Sequence, residues 1–330
     1  MNIRRLIAPA KVNLALLVGP LQPDGYHPIM SVMVPLELGD ELEVELVVLP
    51  TGRGRGAEIG RRGERAVGVS VTCAGVADGE NLVDRALGLL EEESGWRLEG
   101  SVAIHKRIPV AAGLGGGSSD AATALRAGAA ALETAGGPVL ELHRLAELGF
   151  KLGADVPFFL TCGSQMACGR GEQLESFPLP PLSLVLVLPK ELLSTGAVYS
   201  EYDEMVEIES GAEFVARAEG ARVAWHRVQT EWIEGNLGEE DLLLRVAALA
   251  ANDLEQAAVR MVPAMGRRRK DLEDAGALAT LMSGSGPTIF GIFPNHAAAA
   301  QAAAELIARG HRAVVTRTRA LSANPTVALP

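Results

Sequence analysis

The stretch 108–125, IPVAAGLGGGSSDAATAL, constrains this chain more than any other part of it. Four glycines (Gly113, Gly115, Gly116 and Gly117) lead into Ser118, Ser119 and Asp120, and an alanine-rich run follows. Each glycine costs a regular element about 1 kcal/mol relative to alanine, so four of them are a heavy charge on a mere turn. The alternation over 101–107 predicts a strand entering the stretch, and a helix is expected to start near Ala121 on the far side. Glycines admit positive φ and let several backbone N–H groups point the same way. A helix start adds unpaired amides and the positive end of its dipole. Together these make a cradle for an anion such as phosphate. A Walker A loop is excluded, because the chain contains no Gly-Lys dipeptide. A dinucleotide fingerprint is excluded as well, because Ser118 stands where its third glycine belongs. The plain alternative is a glycine turn with a serine cap.

Other segments carry weaker signals. A second glycine loop, Met282-Ser283-Gly284-Ser285-Gly286-Pro287-Thr288, precedes an apolar strand over 289–293; alone it reads as a common Ser-Gly turn, and with the first loop it could close over a triphosphate or a substrate. Near the N-terminus, APAKVNL at 8–14 puts Lys11 and Asn13 on one side of a strand, with Val12 and Leu14 on the other. The ordinary reading of Lys11 is a solvated edge residue. Asp24-Gly25-Tyr26-His27 is a turn followed by an aromatic ring and an imidazole. LGADVPF at 152–158 sets Asp155 among apolar neighbours, where a buried acid needs a partner or a shifted pKa; the alternative is a helix cap.

The pattern around these segments mixes helices and strands without regular alternation, which predicts an α+β protein. Residues 29–49 read as two strands with a turn near Gly39 and Asp40, residues 81–93 as a helix with Leu82, Ala86, Leu89 and Leu90 on one face, and residues 182–188 as a strand. Residues 238–262 and 296–309 read as Ala- and Leu-rich helices, whereas 207–236 shows little pattern. The Gly- and Arg-rich segment 51–65 reads as a loop, its functional alternative being a basic flap over phosphates. With 330 residues, 48% of them apolar, two domains are expected, and the Pro-rich stretch 178–181 suggests the boundary, giving 1–177 and 178–330.

Composition narrows the class of function. Thirty basic and 41 acidic residues leave a net charge of −11, which argues against a general nucleic-acid binder or a protein that coats anionic membranes. No apolar run is long enough to span a bilayer, and no signal-peptide pattern opens the chain, so a cytoplasmic protein is expected. Three cysteines form neither a disulfide framework nor a zinc pattern. Only five of the basic residues are lysines, among them Lys11 and Lys106, in a chain that otherwise uses arginine.

Taken together, APAKVNL (8–14), DGYH (24–27), ENLVDRA (80–86), HKRIPVAAGLGGGSSDAATAL (105–125), LGADVPFFL (152–160), GRGE (169–172), NDLE (252–255) and MSGSGPTIF (282–290) resemble the GHMP kinase superfamily in order and spacing. DGYH points within it to the branch acting on 4-diphosphocytidyl-2-C-methyl-D-erythritol. The resemblance implies transfer of the ATP γ-phosphate to the 2-hydroxyl of that small-molecule substrate, in the non-mevalonate route to isoprenoid precursors. It implies Asp155 and Lys11 as the catalytic pair. Asn81, Leu82, Lys106, Pro109, Gly113, Leu114, Gly115, Gly116, Gly117, Ser118 and Ser119 would hold ATP. Mg²⁺ would bridge the phosphates with Ser119. Asn13, Tyr26, His27, Asp155, Tyr199, Gly284 and Ser285 would hold the substrate, with Tyr26 and Tyr199 (or Tyr202) flanking the cytosine. The implied fold is a two-domain one with the site in the cleft between the domains. The N-terminal domain would resemble domain 2 of ribosomal protein S5 and carry a left-handed β-α-β unit. The C-terminal one would be ferredoxin-like, with its last strand returning to the first domain. A monomer or weak homodimer without nucleic-acid or membrane partners is expected. Departures from the pattern are Pro28 after His27, the apparent insertion at 51–65 and the length of 207–236.

Overall fold

The structure is a computed structural model that describes residues 3–50, 68–74, 81–161, 163–205 and 209–319. The basic segment 51–65 and Cys162 lie outside the described residues. In chain order the first elements are β1 (Arg4–Val18), β2 (Ile29–Pro50), β3 (Val69–Cys73), α1 (Leu82–Ser94) and β4 (Trp96–His105). Then come α2 (Gly116–Thr134), α3 (Leu142–Phe150), α4 (Val156–Leu160), β5 (Gln165–Gly169), β6 (Gln173–Ser176) and β7 (Ser183–Leu188). The remainder is α5 (Thr195–Met205), α6 (Gly211–Ile233), α7 (Glu239–Leu249), β8 (Ala251–Asn252), α8 (Glu255–Met261), α9 (Ala264–Asp274), β9 (Ala279–Met282), β10 (Ile289–Phe293), α10 (His296–Ala308) and β11 (Arg312–Arg317). Helices and strands are mixed as an α+β chain requires.

The chain folds as two compact units that interleave along the sequence. The first comprises residues 1–9, 39–107 and 116–161, and the second residues 10–38, 108–115 and 162–330. Pro178 to Pro181 lie inside the second unit, where Phe177, Leu179 and Leu182 belong to a continuous apolar core.

In the first unit, β4 pairs antiparallel with the C-terminal part of β2 and parallel with β3, so β3, α1 and β4 form a β-α-β unit. Asn81 starts α1 by accepting the Val83 amide at 2.9 Å, a cap of about 1 kcal/mol. The buried face of α1 is Val83, Ala86, Leu87 and Leu90; the expected Leu82 and Leu89 are only half-buried, one helical step off the core-facing stripe. The expected turn at Gly39–Asp40 is absent: β2 runs through it as one strand. Gly39 is there for close approach, since a Cβ at that position would stand 2.7 Å from the Ala8 carbonyl oxygen. Asp40 follows as a fully buried side chain with partners described below.

In the second unit, β5 pairs antiparallel with the N-terminal part of β2 and with β6, while β8 pairs parallel with β1. A separate four-stranded antiparallel sheet has the order β11-β7-β10-β9, with α9 and α10 packed on it. Taken in sequence order those strands stand 4-1-3-2, the ferredoxin-like arrangement expected for the C-terminal part. β11 pairs with β7 of this same sheet, and the residue after it, Thr318, bridges Leu36 of β2, within the 1–177 part to which the last strand is expected to return. The continuous helix expected over 238–262 is broken by β8, and the poorly patterned 207–236 contains the 23-residue α6.

Candidate functional site

Five of the expected positions are built around β1 and the two glycine loops, all within the second unit. Lys11 is only 4% exposed, so it is no solvated edge residue. Its Nζ donates to Asn13 Oδ1 at 2.7 Å, as alternation along one strand face requires. Asn13 Nδ2 donates to Ser31 Oγ at 2.8 Å, and Ser31 in turn donates to the Ala15 carbonyl at 2.6 Å. This relay fixes the Asn13 amide with its oxygen towards the ammonium. The Lys11 amide donates to the Leu114 carbonyl at 3.0 Å, tying the first glycine loop to β1. Ser283 ties the second loop to the same place, its Oγ donating to the Gly113 carbonyl at 2.9 Å.

The approach is so close that only glycine fits. Gly113 has φ +75°, and a Cβ on it would collide with the Ser283 carbonyl oxygen. A Cβ on Gly284 would stand 3.1 Å from Lys11 Nζ and 3.6 Å from Asn13 Oδ1. Lys11, Asn13, Gly113, Leu114 and Gly284 are therefore one cluster. Ser285 lies at its margin, its Oγ sharing a 2.9 Å hydrogen bond with Thr195 Oγ1 at the start of α5. Pro109 and Gly115 flank the first loop, both half-buried.

Two supports of this cluster were missed in the sequence. Asn252 donates through Nδ2 to the carbonyls of Met282 and Gly284, each at 2.8 Å, and Glu255 accepts the Met282 amide at 2.9 Å. Glu255 also pairs with Arg269. The signal was NDLE at 252–255, a polar break in an apolar helical run. Nothing local in the sequence tells which loop such a break serves.

The rest of the nucleotide-side expectation falls in the first unit. Helix α2 starts at Gly116, not near Ala121, so Gly116, Gly117, Ser118 and Ser119 form its first turn. Their amides are those an α-helix leaves unpaired, so the glycines themselves present the anion-binding end. Ser119 is fully buried and its Oγ has no hydrogen-bond partner, while Leu82 lies 3.7 Å from where a Gly117 Cβ would stand. α4 packs on α2, and Ser118 Oγ is 3.9 Å from the Cβ position of Gly153. That contact sets Asp155, two residues on, near the start of α2. Asp155 is half-buried, not buried as expected, because the chain turns to the surface at Ala154. It occupies the N-cap position of α4 but makes no side-chain cap bond, so the cap reading fails on geometry.

Lys106 is committed differently from the expectation. Its Nζ donates to Asp40 Oδ2 at 2.6 Å and to Asp120 Oδ2 at 2.9 Å, while Asp40 Oδ1 accepts the Arg107 amide at 2.5 Å. Burial alone would lower the Lys106 pKa, but the two carboxylates outweigh it and hold it above the usual lysine value. Two acids share that one ammonium. Burial first, with Asp40 adding to it against the pull of Lys106, pushes the Asp120 pKa up to about 7. Lys106 thus braces the first turn of α2 from below. Asn81 is likewise engaged, by capping α1.

The aromatic candidates sit in the second unit. His27 is 9% exposed, and its Nδ1 lies 2.8 Å from the Gly19 carbonyl, so that nitrogen carries the proton. Its Nε2 faces Asp203 at 3.5 Å, and its ring packs against Tyr199 with centroids 5.0 Å apart. Tyr202, the alternative to Tyr199, is buried with its hydroxyl donating to the Val18 carbonyl at 3.2 Å, so it lies in the core. Tyr26 is 56% exposed in the preceding turn.

Among the described residues no group of three or more His, Cys, Asp or Glu side chains could hold a metal ion, and no helix is long and apolar enough to cross a membrane.

Comparison with known proteins places the chain in a family. Residues 81–163 match the family model described as the GHMP kinases N terminal domain, and residues 236–312 the GHMP kinases C terminal model. A 4-diphosphocytidyl-2-C-methyl-D-erythritol kinase of Anaeromyxobacter sp. (strain K) is 40% identical over 302 residues, covering 90% of this chain and 83% of that protein. The protein of the same name from Pelotomaculum thermopropionicum is 38% identical, with 94% and 96% covered. A crystal structure of a 4-(cytidine 5'-diphospho)-2C-methyl-D-erythritol kinase superposes with a TM-score of 0.68 at 32% identity, covering 96% of this chain and 100% of that one. The chain belongs to the 4-diphosphocytidyl-2-C-methyl-D-erythritol kinases, a branch of the GHMP kinases.

Proposed function

We infer that this chain phosphorylates the 2-hydroxyl of 4-diphosphocytidyl-2-C-methyl-D-erythritol with ATP, as a phosphotransferase with an alcohol acceptor in the non-mevalonate route to isoprenoid precursors. The observation that carries the reading is the union of Lys11, Asn13 and both glycine loops in a chain about 40% identical to kinases of that name. The hydroxyl oxygen attacks the γ-phosphorus, the bond to the β-phosphate oxygen breaks, and ADP leaves. Asp155 aligns the hydroxyl and takes its proton, its half-buried position keeping the carboxylate within reach of a ligand. Lys11 supplies a fixed positive charge for the negative charge developing on the reacting oxygens. Because phosphoryl transfer passes through a loose transition state, alignment by Asp155 counts for more than its basicity.

The first turn of α2 holds the ATP phosphates through its amides, with Leu82 beside it on the nucleotide side. The buried, unpartnered Ser119 hydroxyl would be the protein group to hold a Mg²⁺, which would supply charge neutralisation at the phosphates. Tyr26 and Tyr199 form walls for the cytosine, with the His27 ring packed beside Tyr199. Ser285 and Gly284 serve the diphosphate. The two matched family ranges fall on either side of the 177/178 division, which supports reading 1–177 as the ATP-binding part and 178–330 as the substrate-side part.

The test is turnover of ATP with the cytidylyl substrate, homoserine and mevalonate in parallel. Phosphorylation of the cytidylyl substrate is expected, and turnover of the other two alone would refute the assignment. In Asp155→Ala, which removes both alignment and base, kcat is expected to fall by about 10²–10⁴-fold with ATP binding retained; near-normal turnover removes Asp155 from the role given it.

A further inference from the structure

The motif GRGE at 169–172 has no part in the reaction described, yet it builds an unusual contact. Residues 169–172 turn the chain between β5 and β6, with Gly169 at φ +71° and Gly171 at φ +107°, and the Gly171 amide donates to the Cys168 carbonyl at 3.0 Å. Glu172 Oε2 accepts the Arg170 amide at 2.6 Å, which fixes the direction in which the arginine leaves the turn. The guanidinium then lies over the Tyr26 ring, 4.3 Å from its centroid, and pairs with the Asp24 carboxylate. Asp24 in turn accepts the Tyr26 amide through Oδ1 at 3.0 Å. Turn, carboxylate and cation thus act on the same exposed ring.

We propose that Arg170 is a positioning residue for substrate selection: it covers one face of Tyr26 and holds the ring so that the other face is presented to the cytosine. The proposal rests on the reading of Tyr26 as a wall of the base pocket. An exposed tyrosine on a turn rotates freely, and ordering it on binding costs affinity. A ring already stacked on a planar cation has lost that freedom beforehand. Arginine suits the task where lysine does not, because only the flat guanidinium stacks on a ring while its edge engages a carboxylate. Asp24 is the natural anchor. Its carboxyl is held below the ordinary range, first by the Tyr26 amide and also by Arg170, so the pair stays ionised where the enzyme works.

The experiment is steady-state kinetics on the full chain with both substrates varied. Arg170→Ala is expected to raise KM for the cytidylyl substrate about two- to fivefold, the size of an exposed cation–π contact, with kcat and KM for ATP unchanged. Arg170→Lys should recover little of this, since it restores the charge without the plane. Asp24→Asn keeps the oxygen that accepts the Tyr26 amide but loses the ion pair, so it should shift the same KM by less. Tyr26→Ala should raise that KM about tenfold or more, the size of one base stack. Adding Arg170→Ala to Tyr26→Ala should then cost nothing further. An unchanged KM in Arg170→Ala, full rescue by lysine, or additive effects in the double variant each overturn the proposal. Failure of the wild type to phosphorylate the cytidylyl substrate instead refutes the functional reading, and the inference with it.

Discussion

The two glycine loops solve one problem, keeping backbone polar groups open to a ligand, by different means. The first gains its free amides from secondary structure: it runs into α2, and a helix start leaves its first N–H groups unpaired. The second, at 283–286, returns at once to β10 and has no helix behind it. It is fixed by side chains instead, with Ser283 holding it to the first loop and Asn252 gripping the carbonyls of Gly284 within it and of Met282 just before it. Their foundations differ too. Beneath the first turn of α2 lies the charged group of Lys106, Asp40 and Asp120, whereas the second loop hangs chiefly on an amide that does not titrate. A helix-borne anion site therefore announces itself locally in sequence, and a side-chain-borne one is assembled from afar.

The sharpest way to break the comparison is at the point where the loops touch. Gly113→Ala would force a side chain into the Ser283 carbonyl at a positive φ, pushing the loops apart. A displacement of about 1 Å costs about 100-fold in rate, so kcat/KM is expected to fall at least that far. Asn252→Ala comes next. It strips two buried carbonyls of their donor, which should lower unfolding free energy by about 2 kcal/mol and raise KM for the cytidylyl substrate while sparing KM for ATP. Equal effects on both KM values would mean that the loops act as one body.

What could be read in advance follows the same division. The first loop, the shared face of Lys11 and Asn13 and the strand 289–293 were legible because each is written in consecutive residues. The span of β2 was not, since Gly39 looks like a turn until Ala8 is seen beneath it. The start of α2 was misplaced because glycine propensity argues against helix at 116–117, and packing on α1 and α4 overrides it. Helix α6 did carry a signal: Ser210 and Glu213 form a reciprocal capping box, but its buried face of Phe214, Trp225, Val228 and Gln229 is too sparse to show a period. Ser31 and Asn252 had no local signature, because their partners lie far away in the sequence.

Charge beneath one loop and not the other predicts a difference in pH response. Burial, reinforced by Asp40, pushes the Asp120 carboxyl up to about 7, well above the ordinary carboxylate range, so between the two the folded state binds the extra proton. The stability this supplies is fully present below the unfolded pKa and is lost as pH rises through 7. From pH 6 to 8 the loss from this one group is about 1.4 kcal/mol. Asp120→Asn, neutral at every pH and of the same shape, should flatten that slope, so its melting temperature should gain on the wild type at pH 8 relative to pH 6. Asn252→Ala should leave the slope as it is. An unchanged slope in Asp120→Asn would show that Lys106 neutralises both acids.

The smallest effect separates the two kinds of glycine within the first loop. Unlike Gly113, Gly117 meets nothing nearer than Leu82 at 3.7 Å, so an added methyl group fits the folded chain. Alanine there should raise helix stability by about 0.5 kcal/mol or less, visible as a slight rise in melting temperature. The same methyl group would stand over the amides proposed to face the phosphates, so KM for ATP should rise a few-fold without change in KM for the other substrate. Should Gly117→Ala gain stability and keep its ATP affinity, the phosphates do not approach α2 at that residue. Anion binding would then belong to the part of the loop around Gly113, where both loops and Lys11 already converge.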